Sequence, residues 1–181
     1  MKTVIISGSP RSNSATHRVA LHLQANIENS ILLDVRNHQL PFVDTVWSKP
    51  ELVPTTATKL YSEMNSADAF ILVTPEYNGS YSPAMKNLLD HFPKDTFARK
   101  AMGIVTASPG ALGGMRAAQQ LQQMACAFFA IPSPHMLVVP QVEKKFDDKG
   151  TLLDTAYQSS IDRFTTEFAW LAQSLYIGRK S

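Results

Sequence analysis

Three observations predict a doubly wound α/β domain, a parallel sheet with helices on both faces. Short apolar runs alternate with longer stretches whose apolar residues recur every three or four positions. One run, Ala69-Phe70-Ile71-Leu72-Val73, has no polar interruption, as expected of a strand covered on both faces. The chain has 181 residues, 44% hydrophobic and 18% charged, enough for one sizeable core and awkward for two domains.

The elements follow in order. Val4-Ile5-Ile6 is β-branched and ends at Gly8-Ser9-Pro10, which predicts a first strand at about 2–7. Ala15, Val19, Leu23 and Ile27 then recur every four residues along one helix face. Residues 30–35 read as the second strand, and a polar, proline-containing stretch from 36 to 54 is too long for an ordinary turn. A second helix is expected over 55–66 and the third strand over 69–74, stopped by Pro75. Ser82-Pro83 opens a third helix carrying Met85, Leu88, Leu89 and Phe92. Residues 101–107 form the fourth strand, and Ala118, Leu121, Ala125 and Phe128 mark the fourth helix. A fifth strand is expected at 135–139 and a turn at Asp147-Asp148-Lys149-Gly150. Tyr157, Ile161, Phe164, Phe168, Leu171 and Leu175 line the last helix. Five strands, each followed by a helix, imply a flavodoxin-like parallel sheet in the order 2-1-3-4-5, in a single domain over 1–181. A six-stranded dinucleotide fold is disfavoured by length and by the missing glycine fingerprint.

Several function classes drop out. Seventeen Lys and Arg against fifteen Asp and Glu leave a charge of +2, and no basic run exceeds two residues, too little for a dedicated nucleic-acid binder. The lone cysteine, Cys126, rules out an internal disulfide and a cysteine-based zinc cluster, and is expected to pack in the core of the fourth helix. His17 and His22 are five apart, not four, and the other histidines are scattered, so no metal site is expected. No targeting segment or membrane span is visible, and the expected location is the cytoplasm.

In such a sheet, ligands bind beyond the carboxyl ends of the strands, at the switch point between strands one and three. That rule selects three loops. Gly8-Ser9-Pro10-Arg11-Ser12-Asn13-Ser14-Ala15-Thr16 combines hydroxyls, a forked cation and a helix N-terminus, which suits a phosphate monoester. The same serines and asparagine could instead only cap the helix. Neither GxxxxGK[ST] nor GxGxxG is present, so a nucleoside triphosphate and a bridging pyrophosphate are disfavoured. Pro75-Glu76-Tyr77-Asn78-Gly79-Ser80-Tyr81 offers an aromatic, an amide and a hydroxyl to a flat heterocycle, with Gly79 allowing close backbone approach. Ser108-Pro109-Gly110-Ala111-Leu112-Gly113-Gly114 holds three of the eight glycines, which suggests backbone close to a ligand.

The combination GSPRSNS…TPEYNGSYSPAMKNLLDHF…SPGALGGMRAAQQL resembles the NADPH-dependent FMN reductase family, which includes quinone, azo-dye and chromate reductases. The resemblance implies that Ser9, Arg11, Ser14 and Thr16 hold the FMN phosphate. It implies that Pro75, Glu76, Tyr77 and Asn78 line the ribityl chain and the ring, largely through backbone groups. Ser108, Gly110, Gly113 and Gly114 would border the ring. The implied reaction passes hydride from NADPH or NADH to FMN and then electrons to a small-molecule acceptor, with no catalytic side chain. A homodimer or homotetramer is the implied assembly. The rival reading is a flavodoxin-type electron carrier serving a protein partner, against which the net charge of +2 counts. A non-enzymatic binding module on the same fold is a third.

Overall fold

The computed structural model describes residues 1–181. Its elements are β1 (Thr3–Ser7), α1 (Ala15–Asn26), β2 (Ser30–Asp34), α2 (Thr58–Asn65), β3 (Ala69–Thr74) and α3 (Pro83–Asp90). They continue with β4 (Ala101–Ser108), α4 (Met115–Ala127), β5 (Ile131–Pro132), β6 (Leu137–Pro140), α5 (Val142–Lys145) and α6 (Gln158–Gly178). The sheet is parallel and ordered β2-β1-β3-β4-β5, with β6 also paired to β4.

The strand pleat divides the core in two. Val4, Ile6, Phe70, Leu72, Met102 and Ile104 pack with α2, α3 and α4 on one face. Ile5, Ile71, Val73 and Val105 pack with α1 and α6 on the other. Alternation of side chains along each strand produces this split, and all ten residues are fully buried. Gly103 makes room for α6: a Cβ there would lie 3.0 Å from atoms of both Phe164 and Phe168.

The fifth strand differs from expectation. It is broken into β5 and β6, both on the outer edge of β4, so the sheet has six strands. Met102 to Val105 is three steps on β4, whereas the facing Pro132 to Leu137 is five, so two extra residues bulge out. Ile131 N and Ser133 N donate to the Lys100 and Met102 carbonyls, so Pro132 between them turns its nitrogen to the outer edge, and the ladder breaks after Ser133, where Pro134 follows. Cys126 is also corrected. It is exposed, because the buried stripe of α4 runs through Ala118, Leu121 and Ala125 and the next residue turns to solvent.

The stretch from 36 to 54 is a strap over α3. Trp47 stacks on His91 with ring centroids 4.2 Å apart and donates its backbone N–H to the His91 carbonyl at 2.6 Å. The Asn87 side chain accepts from Val43 N at 2.9 Å and donates to the Pro41 carbonyl at 2.8 Å.

Candidate functional site

The carboxyl ends of β1, β3 and β4 open into a cleft of about 350 Å³. Its first wall is the β1–α1 loop, where Ser9, Arg11, Asn13, Ser14, Ala15 and Thr16 line the space. Gly8 sets the start of this loop. Its N–H donates to the Val73 carbonyl at 2.8 Å, and its carbonyl accepts from the Ser82 hydroxyl. A Cβ at Gly8 would lie 2.5 Å from Met85 Cε, 3.0 Å from Met85 Cβ and 3.3 Å from the Val73 carbonyl, so glycine lets the loop sit tight against α3 and β3. Ser14 caps α1, accepting from His17 N at 3.2 Å. The backbone N–H groups of Ser12 through Thr16 donate to no acceptor in the chain, which leaves five successive donors at the positive end of α1. No carboxylate pairs with Arg11, whose guanidinium lies 4.4 Å from the centroid of the Tyr77 ring.

A brace beneath the loop was not foreseen from the sequence. Arg36 is hydrogen-bonded to both carboxylate oxygens of Asp34 and donates to the Ser12 carbonyl at 2.9 Å. His17 Nδ1 lies 3.3 Å from Asp34 Oδ2 and 3.2 Å from Ser7 Oγ. Burial would raise the Asp34 carboxyl, but the hydrogen bonds and charge of Arg36, with His17 beside it, hold it below the usual range. Burial lowers His17 below the usual imidazole range, against the pull of Asp34.

The second wall is the β3–α3 loop, lining the cleft with Pro75, Glu76, Tyr77 and Asn78. Asn78 and Gly79 have φ of 51° and 84°, and Tyr77 and Ser80 exchange backbone bonds of 2.7 and 3.1 Å. This is the two-residue Asn-Gly hairpin turn. Helix α4 clasps it: Gln120 donates to the Gly79 carbonyl at 3.0 Å and accepts from Ser80 Oγ at 2.6 Å. The Glu76 carboxylate accepts from Arg116 N at 3.2 Å and Nη1 at 3.3 Å, capping α4. The Glu76 side chain is thereby committed to α4. The backbone N–H groups of Glu76 and Asn78 have no acceptor in the chain. Ser9 Oγ and Tyr77 Oη are 3.3 Å apart and join the two walls.

Ala107, Ser108 and Pro109 form the third wall. Gly110, Gly113 and Gly114 lie beyond it, as does Gly79, and the packing accounts for two of them. A Cβ on Gly113 would lie 2.7 Å from Val138 Cγ1, and one on Gly114 would lie 3.0 Å from Thr106 Cβ. These glycines seat the loop against β6 and β4. Glu143, in α5, also lines the cleft. Because β6 pairs with β4, its carboxyl end reaches the same mouth as theirs, so the loop rule extended by one strand points to this position.

The family model for NADPH-dependent FMN reductase matches residues 1–144. The chain belongs to the NADPH-dependent FMN reductase family. Among its relatives, an NADPH azoreductase of Bacillus sp. (strain OY1-2) is 30% identical over 139 residues, 77% of this chain and 76% of that protein. A quinone reductase of Pseudomonas putida is 29% identical over 172 residues, 90% and 91% of the two chains. The FerB flavoenzyme NAD(P)H:(acceptor) oxidoreductase of Paracoccus denitrificans shares the fold, with a TM-score of 0.77 at 22% identity over 96% of this chain and 98% of that one. The cleft offers groups that could hold such a cofactor: a cation and free N–H groups suited to a phosphate on one wall, and free backbone donors beside an aromatic ring on the other. No helix is long and apolar enough to cross a membrane.

Proposed function

We propose that this protein oxidises NADPH at an FMN held in the cleft and reduces a small aromatic acceptor of the quinone or azo class, in the cytoplasm and as a homodimer or homotetramer. The run of five unpartnered N–H groups from Ser12 to Thr16, four of them on residues that line the cleft at the switch point of the sheet, carries this reading. Azo and quinone acceptors come from the names of relatives that match most of the chain.

Bound FMN supplies the redox chemistry, taking electrons from reduced nicotinamide and yielding them to the acceptor. The chain's part is to bind and orient. Arg11, Ser9, Ser14 and Thr16 hold the phosphate with the α1 N-terminus behind them. Glu76 and Asn78 offer backbone N–H groups to the polar edge of the ring, where reduction adds negative charge. Tyr77 borders the ring, and the clasp by Arg116 and Gln120 keeps its loop from shifting. Ser108, with Gly110, Gly113 and Gly114 behind it, bounds the third side.

The test is the absorbance spectrum of purified protein supplied with FMN, followed by NADPH under argon and then a quinone or azo dye. A flavin band that bleaches with NADPH and returns with the acceptor is expected. Protein that takes up no FMN overturns the reading. Protein that binds FMN yet oxidises NADPH slowly is an electron carrier instead.

A further inference from the structure

A second cleft, of about 530 Å³, adjoins the first and shares Arg11, Tyr77 and Asn78 with it. Ser80, Tyr81, Pro83 and Lys86 complete its lining. The hairpin is therefore a partition, and a molecule in the second cleft abuts whatever fills the first. The two linings differ in charge. The first contains Arg11 with Glu76 and Glu143, whereas the second contains Arg11 and Lys86 with no carboxylate.

We propose that the second cleft receives the adenosine 2′-phosphate of NADPH, with Lys86 as the residue that distinguishes NADPH from NADH. This rests on the reading of the first cleft as the FMN site. Two cations line the second cleft, Arg11 and Lys86. Arg11 stands at the partition and belongs to both clefts. Lys86 alone serves the second. It pairs with Asp90 one helical turn on, which fixes its direction, while its side chain stays 45% exposed. An ammonium has three donors, so a single carboxylate oxygen leaves two for a ligand. A compact point charge on a flexible stem suits a phosphate monoester dianion at a half-open mouth. The rings of Tyr77 and Tyr81 on the same wall provide apolar surface for the attached adenosine.

The test uses full-length protein and the substitutions Lys86→Gln and Lys86→Arg. Calorimetric titration with 2′,5′-ADP, a fragment with the 2′-phosphate and no nicotinamide, reads the site without turnover; 5′-AMP is the control. Lys86→Gln should weaken 2′,5′-ADP about tenfold more than 5′-AMP, the loss of one charge-assisted contact. The ratio of kcat/KM for NADPH to that for NADH should fall by a similar factor, and Lys86→Arg should recover most of it. Equal loss for both nucleotides, or a ratio that moves less than about twofold, overturns the proposal. So does a Lys86→Gln effect confined to the KM of a sulfonated azo dye, which makes the cleft an acceptor site. Failure to take up FMN strikes the first-cleft reading, while the 2′,5′-ADP titration still decides this one.

Discussion

Arg11 and Tyr77 touch each other, yet their substitutions separate two functions of one cleft. Arg11→Ala removes a cation and leaves the N–H row of α1 in place. FMN should weaken by about 1.5 kcal/mol, roughly tenfold, while riboflavin, which lacks the phosphate, changes little. Tyr77→Ala should weaken both flavins by similar factors, since both carry the same ring. Fluorescence titration of each apo-variant with both flavins checks this, and an equal loss for riboflavin in Arg11→Ala removes the phosphate assignment. Gly8 makes a different demand. Its missing Cβ is filled by Met85, 2.5 Å from where the atom would stand. Gly8→Ala should destabilise the fold by about 1–3 kcal/mol and displace the loop, seen as a lower denaturation midpoint together with weaker FMN binding.

The hairpin shows what one element owes to another. Its Asn78-Gly79 turn is local, but its position depends on Gln120 across 41 residues of chain. Gln120→Ala should therefore loosen FMN and riboflavin alike by a few-fold, with little change in the thermal midpoint, because the lost bonds are exposed. A midpoint drop of many degrees with unchanged flavin affinity would contradict this. Legibility in the sequence follows the same division. Strands β1, β3 and β4 were readable because they are mostly apolar runs followed by Gly or Pro, and α6 because its apolar stripe from Tyr157 to Leu175 repeats over about five turns, the middle three of them buried. The first two loops were readable because topology places them. The split of the fifth strand falls at residues 133–136, where Pro134 interrupts the run after Pro132 has kept its place opposite Met102. The Asp34–Arg36–Ser12 brace was not readable, since a bidentate pair two residues apart at a strand end has no periodicity, and its third member is a backbone carbonyl. Cys126 was misplaced because small apolar neighbours do not reveal which way one residue of a helix turns.

At the scale of the whole molecule, the brace couples the site to acid. His17 and Asp34 both have their titrations lowered in the fold, so each binds fewer protons folded than unfolded. Their stabilising contributions are complete above their unfolded values and are lost as pH falls. The loss begins for His17 near pH 6.5 and for Asp34 near pH 4. The thermal midpoint should be level between about pH 7 and 8, decline gently through 6 and fall steeply below 4, with Lys100, lowered by burial to about 8, acting only above that plateau. His17→Gln should make the gentle part shallower without removing it, since burial lowers His38 and His135 as well, and should leave the steep part below 4 in place. A midpoint that rises on acidification would contradict the assignment. Sedimentation at micromolar concentration should find a dimer or tetramer, with Leu112, Met115 and Phe129, exposed around α4, as apolar surface for the seam. A fully active 20 kDa monomer would refute this.

The prolines at 132, 134 and 140 give this sheet a margin that cannot be copied. A neighbour seeking to extend the sheet past β5 and β6 would meet two short ladders out of step with each other and three positions with no hydrogen to offer. Chains crowded together in a cell or a test tube can therefore associate through their helices without opening a route to strand exchange or fibril growth along that border.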